Sequence, residues 1–104
     1  MRKIDKENNM LTSKQRALLR AMSQNLDTIF QIGKGGITDE ICNQIFNALE
    51  ARELIKARVL ENSGYTAKEA ANIIAETIEC DVVSCVGSKF VLYKESTKKK
   101  RIEI

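Results

Sequence analysis

The chain contains no proline, no histidine and no tryptophan in 104 residues, and only five aromatic rings and three cysteines. Each shortage excludes something. Without histidine, general acid–base chemistry would fall to Asp, Glu, Lys or Cys, and Cys85 is a conceivable nucleophile, with no base evident near it in sequence. Without histidine or a CxxC pair, Cys42, Cys80 and Cys85 do not compose a metal site, so no metal, cofactor or catalytic residue is assigned, and the thiols are read as buried and reduced. With so few rings, and most of them in core-like patterns, nucleic acid would be gripped by its backbone and shape rather than by stacked bases. No run approaches the ~20 apolar residues of a membrane span. The first residues, Met1-Arg2-Lys3-Ile4-Asp5-Lys6-Glu7-Asn8-Asn9, lack an apolar signal core, so a cytoplasmic location is expected. Nothing demands more than a monomer.

What is present is enough for one globular domain: 43% of residues are hydrophobic, and a chain of this length buries roughly two-thirds of its unfolded surface. The net charge of +3 is unevenly placed. Residues 1–37 hold seven Lys/Arg against three Asp/Glu, residues 38–79 four against eight, and residues 80–104 six against three. Basic ends around an acidic middle suit a polyanion.

Gly33-Lys34-Gly35-Gly36 is a GxxG loop with a lysine inside it. It follows an apolar run and precedes a helix expected to begin at Thr38 or Asp39. Glycines let the backbone approach a ligand closely, helix N-terminal amides carry partial positive charge, and Lys34 adds a full one. KH domains clamp nucleotide backbone with such a loop. A plain strand-to-helix turn accounts for the same four residues, and Asp39 and Glu40 offset part of the potential.

Periodicity places the elements. Thr12-Ser13-Lys14-Gln15 is a capping box that opens a helix expected to pack through Leu18 and Met22, with Leu19 and Ala21 beside them and Arg16 and Arg20 opposite. Thr28–Ile32 reads as a strand. Ile41, Ile45 and Leu49, with Cys42 and Phe46, give a second amphipathic helix. Residues 54–60 alternate: Ile55, Ala57 and Val59 point to a core, Lys56 and Arg58 away from it. Thr66-Ala67-Lys68-Glu69 caps a third helix with Ala67, Ala70, Ala71, Ile74 and Ile78 on one side. Asp81–Val86 and Lys89–Tyr93 flank the hairpin signal Gly87-Ser88. The expected fold is a two-layer α/β domain of α-β-α-β-α-β-β order with a mixed four-stranded sheet. Residues 1–10 are read as a flexible N-terminus, 11–94 as the domain, and 95–104 as a solvated basic tail whose Lys98-Lys99-Lys100-Arg101 run is able to add non-specific phosphate affinity.

Four blocks then match one family in order: Leu11-Thr12-Ser13-Lys14-Gln15-Arg16; Ile32-Gly33-Lys34-Gly35-Gly36-Ile37-Thr38; Ala48-Leu49-Glu50-Ala51-Arg52-Glu53-Leu54-Ile55-Lys56-Ala57-Arg58-Val59; and Val86-Gly87-Ser88-Lys89-Phe90-Val91-Leu92-Tyr93. The chain resembles a stand-alone bacterial CRM-domain protein, of the chloroplast RNA splicing and ribosome maturation (YhbY-like) family, over residues 11–94. The resemblance implies a fold like the C-terminal domain of a bacterial translation initiation factor. It also implies an RNA-binding ribosome assembly factor on precursors of the large subunit, with ribosomal proteins as possible further partners. The family's loop falls on Gly33, Lys34, Gly35 and Gly36, and its basic strand residues on Lys56 and Arg58. Lys89, Arg16 and Arg20 widen the expected surface. Many relatives carry histidine and proline before the first strand, where this chain has Gln24-Asn25-Leu26-Asp27. The alternative function is a protein-interaction module, its acidic helices docking on a ribosomal protein or an assembly GTPase.

Overall fold

The structure, a computed structural model, describes residues 11–98 and 102. Its elements are α1 (Ser13–Ser23), β1 (Thr28–Ile32), α2 (Asp39–Arg52), β2 (Leu54–Val59), a 3-10 turn (Glu61–Ser63), α3 (Ala67–Ile78), β3 (Asp81–Val86) and β4 (Lys89–Tyr93). The expected order and the mixed four-stranded sheet are both present. Threonine caps the start of each of the three described α-helices. The Thr12 and Thr66 hydroxyls accept the Gln15 and Glu69 amides in reciprocal capping boxes, and Thr38 accepts the Ile41 amide at 3.1 Å. Each cap satisfies an N–H that the first helical turn otherwise leaves without a partner.

The sheet runs β1-β2-β4-β3. β1 and β2 are parallel, and β4 is antiparallel to both β2 and β3. β2 and β3 therefore point the same way with a gap of one strand between them, and the β3–β4 hairpin turns back to fill it. Opposite partners across β2 and β4, such as Ile55 with Leu92 and Ala57 with Phe90, set the register that sorts side chains onto two faces.

One face is sealed. Ile55, Ala57, Phe90 and Leu92 pack with Ile45 and Leu49 of α2 and with Ala70, Ala71 and Ile74 of α3. The alanines leave room for α3 to lie close on the strands. Fully burying each of the large side chains contributes about 1.5–3 kcal/mol. The other face meets α1: Leu19 packs on Leu54, Val83, Val91 and Tyr93, joined by Ile102. The layer count is therefore three rather than the two expected, because α1 and the α2/α3 pair lie on opposite sides of the sheet. The packing stripe of α1 also differs from expectation. Leu19 and Ser23 are buried, whereas Leu18 is 46% and Met22 39% exposed. Ser23 succeeds at the contact because it is small and its hydroxyl is satisfied by the Arg20 carbonyl at 2.7 Å.

Beyond residue 94 the chain stays on the domain where it is described. Glu53, fully buried in the left-handed region at φ 68°, joins α2 to β2. Its carboxylate accepts the Ser96 amide at 2.7 Å and the Ile102 amide at 2.6 Å. Glu50 Oε1 accepts the Thr97 amide and the Ser96 and Thr97 hydroxyls. Ser96 and Ile102 are buried, so these two residues of the expected solvated tail are packed instead. Residues 1–10 and the Lys99-Lys100-Arg101 part of the basic run lie outside the described residues.

Candidate nucleic-acid interface

The glycine loop, the C-terminal end of β2 and the tip of the β3–β4 hairpin share one end of the sheet. The Leu60 amide donates to the Ile32 carbonyl at 2.8 Å, and the Val59 amide to the Ser88 carbonyl at 2.9 Å. Within the loop the Gly36 amide closes a turn onto the Gly33 carbonyl at 2.9 Å. The three glycines are not equivalent. Gly36 has φ 77° and lies against the Tyr65 ring, so the turn itself requires it. Gly35 lies outside that region, and a Cβ built there meets nothing within 4 Å. The fold alone gives no reason for a glycine at 35, while close approach of a ligand would. Lys34 is exposed. Thr38 takes one amide of the α2 start, which removes it from any ligand.

The cations gather on the face that α1 covers. That helix spans only the half of the sheet containing Leu54, Val83, Val91 and Tyr93. The other half carries Lys56 and Arg58, both half-buried, and exposed Lys89. Arg58 and Lys89 are direct cross-strand partners, and like charges in that position oppose sheet pairing. The Arg58 Nε is buried and donates to no acceptor among the described residues, a costly state for a charged donor. An oxyanion on this face would relieve both. Between α1 and the open strands lies a groove of 270 Å³ lined by Arg20, Gln24, Lys56, Ser84, Val86 and Lys89, among others. Arg16 does not line it. Its guanidinium donates to the Val82 carbonyl and ties α1 to β3.

Lys56, Arg58, Lys89 and Arg20 are thus brought onto one face, and the Gly33–Gly36 turn stands at the end of the sheet bordering it. Sequence reasoning missed Gln24, Ser84 and Val86, whose types carry no pattern; Tyr65 packs against the core and also abuts Gly36. The approach to β1, where the family's usual histidine and proline are replaced, is a turn closed by the Leu26 amide on the Ser23 carbonyl at 3.1 Å.

A family profile, the CRS1 / YhbY (CRM) domain, matches residues 11–94. The chain belongs to the CRM-domain family. It is 44% identical to "Probable RNA-binding protein YqeI" of Bacillus subtilis, over 91% of this chain and 99% of that one. It is 30% identical to an "RNA-binding protein" of Haemophilus influenzae, over 86% and 91% of the two chains. The solution structure of a Staphylococcus aureus protein, described as a candidate RNA-binding protein, superposes on this CRM domain with a TM-score of 0.68 at 43% identity, covering 91% of this chain and 99% of that one. These names are those of binding proteins rather than enzymes.

The thiols of this CRM domain are poorly suited to nucleophilic work. Cys42 and Cys80 are buried, and Cys85, against expectation, is exposed. Desolvation pushes the Cys42 thiol up, with Asp39 adding to it. Desolvation also raises Cys85, which Lys68 only partly counters. Both thiols are held away from the reactive thiolate. No helix among the described residues is long and apolar enough to cross a membrane.

Proposed function

We propose that this CRM domain binds RNA through the Gly33–Gly36 turn and the open half of the α1 face, and that it acts without catalysis as an assembly factor on precursor RNA of the large ribosomal subunit. One observation carries the reading. Three separate elements bring Arg20, Lys56, Arg58 and Lys89 to the open half of the sheet face that α1 partly covers, where two cations stand opposed and a guanidinium Nε lacks an acceptor among the described residues. A phosphate backbone supplies acceptors at that density. Lys56 and Arg58 are two residues apart on a strand, roughly 6.6 Å, the scale of neighbouring phosphates along one strand. The relatives' names support RNA as the polyanion. Gly35 and Lys34 extend the contact at the end of the sheet, and Arg16 contributes by fixing α1 rather than by touching the ligand.

The test is sedimentation of the protein in ribosome gradients from its own cells, beside a Lys34→Ala/Lys56→Ala/Arg58→Ala variant. Wild type in the large-subunit precursor fractions, with the variant left at the top, is the expected result. Co-sedimentation of both assigns the anchor to another surface or to a protein partner. Absence of both from the precursor sinks the assembly role.

A further inference from the structure

The open half of the α1 face carries cations and short polar groups but no ring. All five aromatic side chains are elsewhere. Phe90 and Phe30 belong to the α2/α3 core, and Tyr93 is buried under α1. Phe46 lies beneath the Lys94 ammonium, 5.3 Å from its ring centroid. Tyr65 rests against Gly36. Single strands are held chiefly by stacking successive bases on exposed rings over a basic groove, and this surface offers the basic groove without the rings. Paired RNA makes the opposite demand. Its wide, shallow groove displays ribose hydroxyls between two phosphate rims, and it is recognised by shape and backbone.

The surface has a shape to match. At the tip of the β3–β4 hairpin, Gly87 adopts φ 61°, and Val86 is 73% exposed, the most exposed of the large hydrophobic side chains. Val86 lines the same groove as Lys56, Lys89, Arg20, Ser84 and Gln24. One groove thus combines an exposed apolar tip for surface contact, a hydroxyl and an amide that can pair with ribose hydroxyls, and cations that can meet phosphate rims.

Building on the RNA-binding reading, we propose that this face takes a double-helical RNA segment: the hairpin tip led by Val86 enters the shallow groove, Ser84 and Gln24 meet ribose hydroxyls, and Arg20, Lys56 and Lys89 hold phosphates on its rims. The ribose contacts make the site selective for RNA over DNA, and the absent rings make it selective for paired over unpaired strands.

Fluorescence anisotropy at one fixed salt concentration tests this with three labelled probes: a fully paired RNA hairpin of about 16 base pairs, an unpaired RNA of the same length, and a DNA hairpin of the same sequence. The RNA hairpin is expected to bind at least about tenfold more tightly than either of the others. Val86→Asp, at an exposed site, should weaken hairpin binding about tenfold, the scale of one charge-assisted interaction, while thermal unfolding stays unchanged. Equal or tighter binding of unpaired RNA overturns the proposal, as does equal binding of the DNA hairpin or an unaffected Val86→Asp. Binding to none of the probes overturns the RNA-binding reading itself, a result distinct from a preference for the unpaired strand.

Discussion

The same strands make two different faces. On β2, Ile55, Ala57 and Val59 are sealed under α2 and α3, while Lys56 and Arg58, between them in sequence, stay half-open beside α1. On β4, Phe90 and Leu92 face one way and Lys89, Val91 and Tyr93 the other. Two helices cover the first face fully. A single helix of 11 residues covers only part of the second. Fold stability and ligand binding are therefore separated by one step along a strand, and neighbouring residues should respond to mutation in opposite ways.

The largest effect is expected from Phe90→Ala, which leaves a cavity under α2 and α3 and costs about 3–5 kcal/mol in urea unfolding. Its neighbour Lys89→Ala should stay within about 0.5 kcal/mol yet weaken RNA binding. Similar destabilisation by both would break the comparison. Next is Glu53→Ala, which strips the Ser96 and Ile102 amides of a buried carboxylate acceptor and should cost about 2–3 kcal/mol in the same assay. On the open face, Lys56→Ala with Arg58→Ala should leave unfolding nearly unchanged. It should reduce the slope of log affinity against log salt by about two, one for each phosphate no longer neutralised; an unchanged slope would remove both residues from the interface. The glycines sharpen the contrast on a smaller scale. Gly36→Ala should cost about 1–2 kcal/mol by placing a Cβ in the left-handed region, while Gly35→Ala should spare unfolding and impair binding.

The mildest effect is with pH. Burial raises the Glu50 carboxyl, but the Thr97 amide and hydroxyl, the Ser96 hydroxyl and Lys94 outweigh it and hold the group below its ordinary 4.5. Its contribution to stability is thus fully present above pH 4.5 and is lost as pH falls through the lower folded value. Hydrogen exchange of the Thr97 amide should accelerate across that interval relative to its intrinsic rate, and Glu50→Gln should flatten the dependence.

Much of this was legible because period-two and helical alternation are local. The bounds of β1, β3 and β4, the capping boxes, and the division of β2 into an apolar and a cationic side all follow from residues within one turn or pleat of each other. The third layer was not legible. Leu18, Leu19 and Met22 offer α1 two apolar stripes of similar strength, and the choice falls to which one meets Val91 and Tyr93, about 70 residues on along the chain. Nor was the Glu53 contact, which joins residues 49 apart in sequence and leaves no periodic trace. In the candidate interface, the cations of β2 stood out by their spacing, whereas Gln24 and Ser84 acquire meaning only from the groove they share.

The position of β4 sets an order on biosynthesis. It follows the other strands in the chain, yet it lies inside the sheet, between β2 and β3. Until residues 89–93 have left the ribosomal tunnel, β3 has no neighbour to pair with, and Arg58 stands without Lys89 across from it. A nascent chain can form α2 against the β1–β2 pair, but the cationic face arises only with the closing strand. Emerging fragments therefore lack the paired β2-β4-β3 surface, and the groove shared by Lys56, Ser84 and Lys89 arises in the same step that closes the sheet.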